Sequence, residues 1–182
     1  MDDLYFITGN KGKFEQAKSI LPEIKRIELD IAEIQELDTK KIIEAKLNEI
    51  SKVNNGRFFC EDVSLEIEGL KGLPGPLIRW FLDTVKTAGI AKMAEDSGNT
   101  KAIGRITLGY NDNGKIVFFE STMRGKVVSP RGENGFGWDK LFQPEGCEKT
   151  LGEMEMAEKN QYSMRKKVLI KLKDYIDNGK RR

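Results

Sequence analysis

The stretch Leu4-Tyr5-Phe6-Ile7-Thr8-Gly9-Asn10-Lys11-Gly12-Lys13-Phe14-Glu15-Gln16-Ala17 changes period halfway along. Leu4 to Thr8 is a short apolar run stopped by Gly9, the pattern of a buried strand. Helical spacing then begins, with Phe14, Ala17 and Ile20/Leu21 on one face and Pro22 closing the segment. A strand, a polar loop and a helix therefore open the chain, which is the first half of an α/β unit.

Outward from this unit the same alternation continues. Arg26 to Ile31 reads as a second strand. Thr39 is expected to cap a helix that turns Ile42, Ile43, Leu47 and Ile50 inward and ends at Asn54-Asn55-Gly56. Arg57 to Cys60 reads as a third strand stopping at the acidic pair Glu61-Asp62, and Ser64 to Glu68 alternates again. The turn-rich segment Gly69 to Pro76 introduces a helix bearing Trp80, Phe81 and Val85. Two long strands, Lys101–Tyr110 and Ile116–Met123, are joined through Asp112-Asn113-Gly114, a hairpin signal. A glycine-rich loop spans Ser129 to Gly137. The last helix starts near Ser163, carries Val168, Leu169, Leu172 and Tyr175/Ile176 inward, and ends at Asn178-Gly179. Early alternation followed by antiparallel pairing predicts an α/β fold with a mixed sheet.

Composition narrows the chemistry. The chain has 182 residues, 38% hydrophobic and 33% charged, an ordinary balance for one globular domain. It has no histidine. That excludes a Ser-His-Asp or Cys-His mechanism and a histidine-bound zinc, leaving carboxylates, lysines and arginines, with a hard cation such as magnesium favoured. The formal charge of +2 gives no reason to expect nucleic-acid binding. No apolar run reaches the roughly 20 residues of a membrane span, and no secretory signal is visible. Cys60 and Cys147 are too few for a disulfide framework, so a cytoplasmic setting is expected.

Four segments could carry chemistry. The loop Thr8-Gly9-Asn10-Lys11-Gly12-Lys13 could bring backbone N–H groups and Lys13 to an anion at a helix N-terminus, although it lacks the P-loop pattern. A solvated loop with surface lysines is the alternative. Glu61-Asp62, with Glu33 on an earlier loop, could hold magnesium, since neighbouring ionised carboxylates repel unless a cation bridges them, or could be the ordinary acidic residues that follow a strand. Gly135-Phe136-Gly137-Trp138-Asp139 could offer a ring to a planar ligand and an acceptor to its edge, or could be a tight turn with core aromatics. Lys159 and Arg165 lie around the start of the last helix, where the macrodipole disfavours cations, which suggests ligand contact, or they belong to a solvated charged face.

Taken in order, these segments resemble the inosine triphosphatase family, the pyrophosphatases of noncanonical purine nucleoside triphosphates. The resemblance rests on Thr8-x-Asn10-x-x-Lys13, Glu61-Asp62, Gly72-Leu73-Pro74-Gly75-Pro76-x-Ile78-x-Trp80-Phe81-Leu82 and Pro130-Arg131-Gly132. It extends through Phe136-Gly137-Trp138-Asp139, Phe142-Gln143-Pro144-x-Gly146 and Ala157-Glu158-Lys159-Asn160. The Trp-Phe-Leu and Phe-Gly-Trp-Asp wordings look closer to the eukaryotic branch.

The resemblance implies one domain of two lobes over residues 1–182, with the active site in the cleft between them, working as a homodimer. The implied substrates are ITP, dITP and XTP, cleaved to the nucleoside monophosphate and pyrophosphate. By position, Thr8, Gly9, Asn10, Lys11, Gly12 and Lys13 would hold phosphate, Lys46 would approach the triphosphate, and Arg79 occupies a usually basic position. Asp62 would be catalytic and, with Glu33, would bind magnesium, for which manganese can substitute. Phe136, Gly137, Trp138 and Asp139 would hold the base, with Lys159 and Arg165 closing over the nucleotide.

The chain departs from the family at Met164, where histidine is usual, at Val63, which replaces a hydroxyl residue after Asp62 in the substrate-binding segment, and at Gly152. These departures bear on selectivity. The rival expectations are a related pyrophosphatase with a different base preference and a nucleotide-binding module without catalysis.

Overall fold

The computed structural model describes residues 3–28, 34–54 and 56–179. Its first strand, β1 (Leu4–Ile7), lies between two parallel neighbours, β2 (Lys25–Ile27) and β3 (Arg57–Ile67). Phe6 pairs in register with Phe59, and their rings stack at 4.5 Å between centroids. The expected strand Arg26–Ile31 is described only to Glu28, and the remainder lies outside the described residues.

The helices are α1 (Lys11–Lys18), α2 (Thr39–Ser51), α3 (Ile78–Thr84), α4 (Lys86–Asp96), α5 (Met156–Lys159) and α6 (Met164–Gly179). The remaining strands are β4 (Pro74–Gly75), β5 (Lys101–Asp112), β6 (Lys115–Val127) and β7 (Phe142–Pro144). Together they form a seven-stranded mixed sheet in the order β2-β1-β3-β5-β6-β7, with β4 antiparallel to β3. No helix among the described residues is long and apolar enough to cross a membrane.

The chain divides into two compact units. The first comprises residues 1–62, 106–121 and 164–182, the second 63–105 and 122–163. In the first unit Ile43, Leu47 and Ile50 of α2 cover Ile7, Phe58 and Cys60, as the spacing of α2 predicts. Alternation along β3 sends Phe59 and Glu61 to the opposite face. The second unit gathers α3, α4, β4, β7 and α5. Its connections are tied by Arg131, which reaches the Glu148 carbonyl at 2.9 Å and Glu153 at 3.4 Å.

Three expectations are corrected. The third strand does not stop at the acidic pair: β3 is continuous over eleven residues and carries Glu61 and Asp62 in its interior. A charged residue ordinarily ends a buried strand, but Glu61 is neutralised by two cations and is tolerated there. The cap of α2 is Asp38, whose carboxylate accepts from the Lys40 N–H at 2.9 Å, while Thr39 is buried as the first helical residue. Both are good cap residues, and the exposed one is free to turn its oxygen onto the helix end. Finally, the segment after Pro76 holds two helices, because Lys86 adopts φ 61° and breaks the axis. α4, with Ile90, Ala91 and Ala94 buried, was not anticipated from the pattern. The hairpin forms where expected, with Asn113 and Gly114 both at positive φ and the Gly114 N–H donating to Asn111 Oδ1 at 2.7 Å.

Candidate active site

The loop between β1 and α1 is held by its own side chains. Thr8 Oγ1 accepts from the Asn10 N–H at 3.1 Å, and Asn10 Oδ1 caps α1 by accepting from the Lys13 N–H at 3.0 Å. Gly9, Asn10, Lys11 and Gly12 are exposed, so the N-terminal end of α1 faces solvent. An added Cβ at Gly12 would come within 3.3 Å of the capping oxygen, which favours glycine there.

Lys13 is the inward member of this loop. Its ammonium lies 3.3 Å from Glu61 Oε1. The same oxygen accepts from Arg165 Nε at 2.8 Å, and Oε2 accepts from that Nε at 3.0 Å. Arg165 Nη1 donates in turn to Gln16 Oε1 at 2.7 Å. The Glu61 side chain is 1% exposed, against 11% for Arg165 and 23% for Lys13. One buried carboxylate thus gathers two cations, leaving the cluster with a surplus positive charge, the state that suits an anionic ligand. It also explains the two cations near helix starts: Glu61 supplies the negative charge that the macrodipole favours at such ends.

Asp62 points the other way. Alternation sets it on the face of Cys60, which α2 covers, and Lys46 stands on α2 one turn after the inward Ile42. Both Asp62 and Lys46 are partly buried. The adjacent acids are therefore not a clustered pair. Among the described residues no three His, Cys, Asp or Glu side chains group as a metal site, and Glu33 lies outside them.

A second cluster lies in the other compact unit. Asp139 is buried, and its Oδ2 accepts from the Phe136 N–H at 2.8 Å and from Lys159 Nζ at 2.5 Å. The Lys159 ammonium is 5.5 Å from the Phe136 ring centroid, and that ring is 56% exposed. Gly135, at φ 82°, leaves room for this pair: a Cβ there would stand 2.3 Å from Asp139 Oδ2 and 2.6 Å from Lys159 Nζ. Gly137 also takes positive φ, turning the chain between an exposed and a buried aromatic. Trp138 is buried and packs edge-on against Phe142 at 5.1 Å, so the two aromatics of the motif divide into a core ring and a presented ring. Lys159 belongs to the last turn of α5, where a cation is favourable, rather than to the start of α6.

The other expected residues are dispersed. Arg79 is exposed on α3 and lies 3.8 Å from Asp83 one turn on. Val63, half-buried, follows Asp62 along β3. Met164 is buried at the start of α6, so its thioether packs inward.

The residues missed in the sequence are Glu61, as the partner of both cations, and Gln16. The signal was present: Gln16 follows Lys13 by three residues on one helical face, and strand parity separates Glu61 from Asp62.

Comparison with known proteins decides the family. The Ham1 family model matches residues 4–175. The chain belongs to the Ham1 family. It is 37% identical to the inosine triphosphate pyrophosphatase of Schizosaccharomyces pombe, over 99% of this chain and 98% of that one. It is 36% identical to the dITP/XTP pyrophosphatase of Methanopyrus kandleri, covering 96% of each. The fold matches the Ham1 protein of Staphylococcus aureus with a TM-score of 0.85 at 21% identity, covering 97% of this chain and 100% of that one. This Ham1 member carries valine at 63, next to Asp62, and methionine at 164, next to Arg165.

Proposed function

We propose that this Ham1 protein hydrolyses noncanonical purine nucleoside triphosphates, ITP, dITP and XTP, to the monophosphate and pyrophosphate, cleansing the nucleotide pool. The observation that carries the reading is the near full-length match to relatives named for these activities, both above 30% identity. The two clusters supply chemistry of the right kind.

The triphosphate carries concentrated negative charge, and the surplus cation of the Lys13–Glu61–Arg165 cluster suits it, together with the capped end of α1. Asp62 orients a water for in-line attack on the α-phosphorus and accepts its proton as the new P–O bond forms. The α–β P–O bond breaks and pyrophosphate leaves with the electron pair. Of the two proposed magnesium ligands, Asp62 is described and Glu33 is not. Their carboxylate oxygens are the donors a hard cation takes, and the bound ion supplies neutralisation of phosphate charge.

The Asp139–Lys159 pair supports reading of a 6-keto purine. Such a base presents an acceptor at position 6 and a donor at N1, complementary to the lysine N–H and the aspartate oxygen, and adenine reverses both. Sites built on such pairing discriminate by on the order of 10⁴-fold. The exposed Phe136 ring offers the stacking face. Arg165, held by Glu61 and Gln16, belongs to the cationic cluster that supports phosphate binding.

We propose further that the enzyme is a cytoplasmic homodimer. Neither cysteine is in a disulfide, which suits a reducing compartment, and Leu73, Trp80 and Val85 leave apolar surface exposed around α3. The test of function is pyrophosphate release from ITP, XTP, dITP, GTP and ATP with magnesium, and its loss on chelation. Absence of turnover for every triphosphate would leave a binding module instead.

A further inference from the structure

Glu61 has no part in the proposed hydrolytic step, yet it is the carboxylate with the least exposed side chain among the ion pairs described. We infer that Glu61 is a positioning residue that couples Lys13 and Arg165, so that the two cations act as one unit on the substrate. This rests on the reading of the site as a nucleoside triphosphate site.

The geometry carries the inference. Lys13 comes from α1 and Arg165 from α6, and both contact the same oxygen, Glu61 Oε1, at 3.3 and 2.8 Å. Two like charges this close repel unless an anion lies between them. The carboxylate removes that repulsion and fixes the direction of each side chain. Arg165 is secured on a second side by Gln16, so its guanidinium plane is set, whereas Lys13 has no other ion pair among those described. An ammonium has three donors, and the contact to Glu61 engages one, leaving the group able to meet phosphate. Strand β3 supplies the rigid mount: Glu61 lies mid-strand beside Cys60, whose side chain is in the core. Replacing the carboxylate by an amide of the same shape keeps the volume but leaves two cations facing a neutral group. Lys13, the less secured of the two, then swings away.

The test measures ITP affinity by calorimetry without magnesium, and KM and kcat for ITP with magnesium. It compares wild type, Glu61→Gln, Lys13→Ala and the double variant, with a thermal midpoint for each. The expected result is that Glu61→Gln weakens ITP binding and raises KM by about tenfold, with kcat within about threefold. Lys13→Ala then costs much less in the Glu61→Gln background than in wild type, because the lysine is already displaced.

A lowered thermal midpoint with unchanged ITP affinity would overturn the inference, as would an equal cost of Lys13→Ala in both backgrounds. Should Glu61→Gln fail to fold, the cycle of Lys13→Ala with Arg165→Ala decides. Effects on KM that fall short of multiplying support coupling through Glu61, and effects that multiply contradict it. Wild-type enzyme that binds ITP without hydrolysing it would remove the proposed function and leave the titration of Glu61 to stand on its own. Wild-type enzyme that does not bind ITP would overturn both.

Discussion

At the scale of single residues, neighbours in sequence can be strangers in space. Glu61 and Asp62 read as one acidic pair, but an extended backbone sends them to opposite faces, one to two cations and the other toward α2. The alternation rule was enough to see this. What hid it was the expectation that a strand ends at its first charge, which holds only when the charge lacks a partner. Phe136 and Trp138 teach the same lesson, since which aromatic would be presented and which buried depended on positive φ at Gly135 and Gly137. A third residue, Glu66, yields a prediction about acid stability. Arg105 holds its carboxylate in a bidentate pair at 2.7 and 3.1 Å and keeps its pKa below the ordinary 4.5. The folded chain therefore binds protons less readily than the unfolded one. The pair's contribution is present above pH 4.5 and fades as pH falls through the lower folded value. Thermal midpoints of Glu66→Gln and wild type should differ most near neutrality and converge in acid. A constant difference from pH 7 to pH 3 would contradict this.

At the scale of elements, the segments with a single strong period were legible: β1, α2, the β5–β6 hairpin and α6 fall within a few residues of their expected bounds. Those that depended on tertiary partners were not. The break between α3 and α4 turns on one lysine at φ 61°, a conformation with no composition signal. Close packing between elements also escapes pattern reading. Gly109 in β5 lies under α2, and an added Cβ would stand 2.2 Å from Ile43 Cγ2 and 3.0 Å from Leu47 Cδ1. Gly109→Ala should therefore destabilise the protein by about 1–3 kcal/mol, read as a lower denaturant midpoint at unchanged slope. A stability equal to wild type would mean that α2 is not pressed against the strand.

At the scale of the whole molecule, the ordered motifs identified the family where no single one could, because each alone had a bland reading as a turn, a solvated loop or a core cluster. Met164 is taken into the core, and the proposed Asp139–Lys159 contact would separate a 6-keto from a 6-amino purine without ranking the keto purines among themselves. The apolar surface of Leu73, Trp80 and Val85 predicts a dimer. Sedimentation of wild type and Trp80→Glu should show two copies and one copy respectively, and a monomeric wild type would contradict that assignment.

The central claim, hydrolysis of noncanonical purine triphosphates with Asp62 as the base, has a direct test. Pyrophosphate release is followed for ITP, XTP, dITP, GTP and ATP with magnesium, then with chelator, and again for Asp62→Asn. The account predicts kcat/KM for ITP, dITP and XTP well above that for ATP, and abolition by chelator. It also predicts a fall in kcat of about 100-fold or more for Asp62→Asn. Near-wild-type kcat in Asp62→Asn, or equal turnover of ATP and ITP, would contradict it.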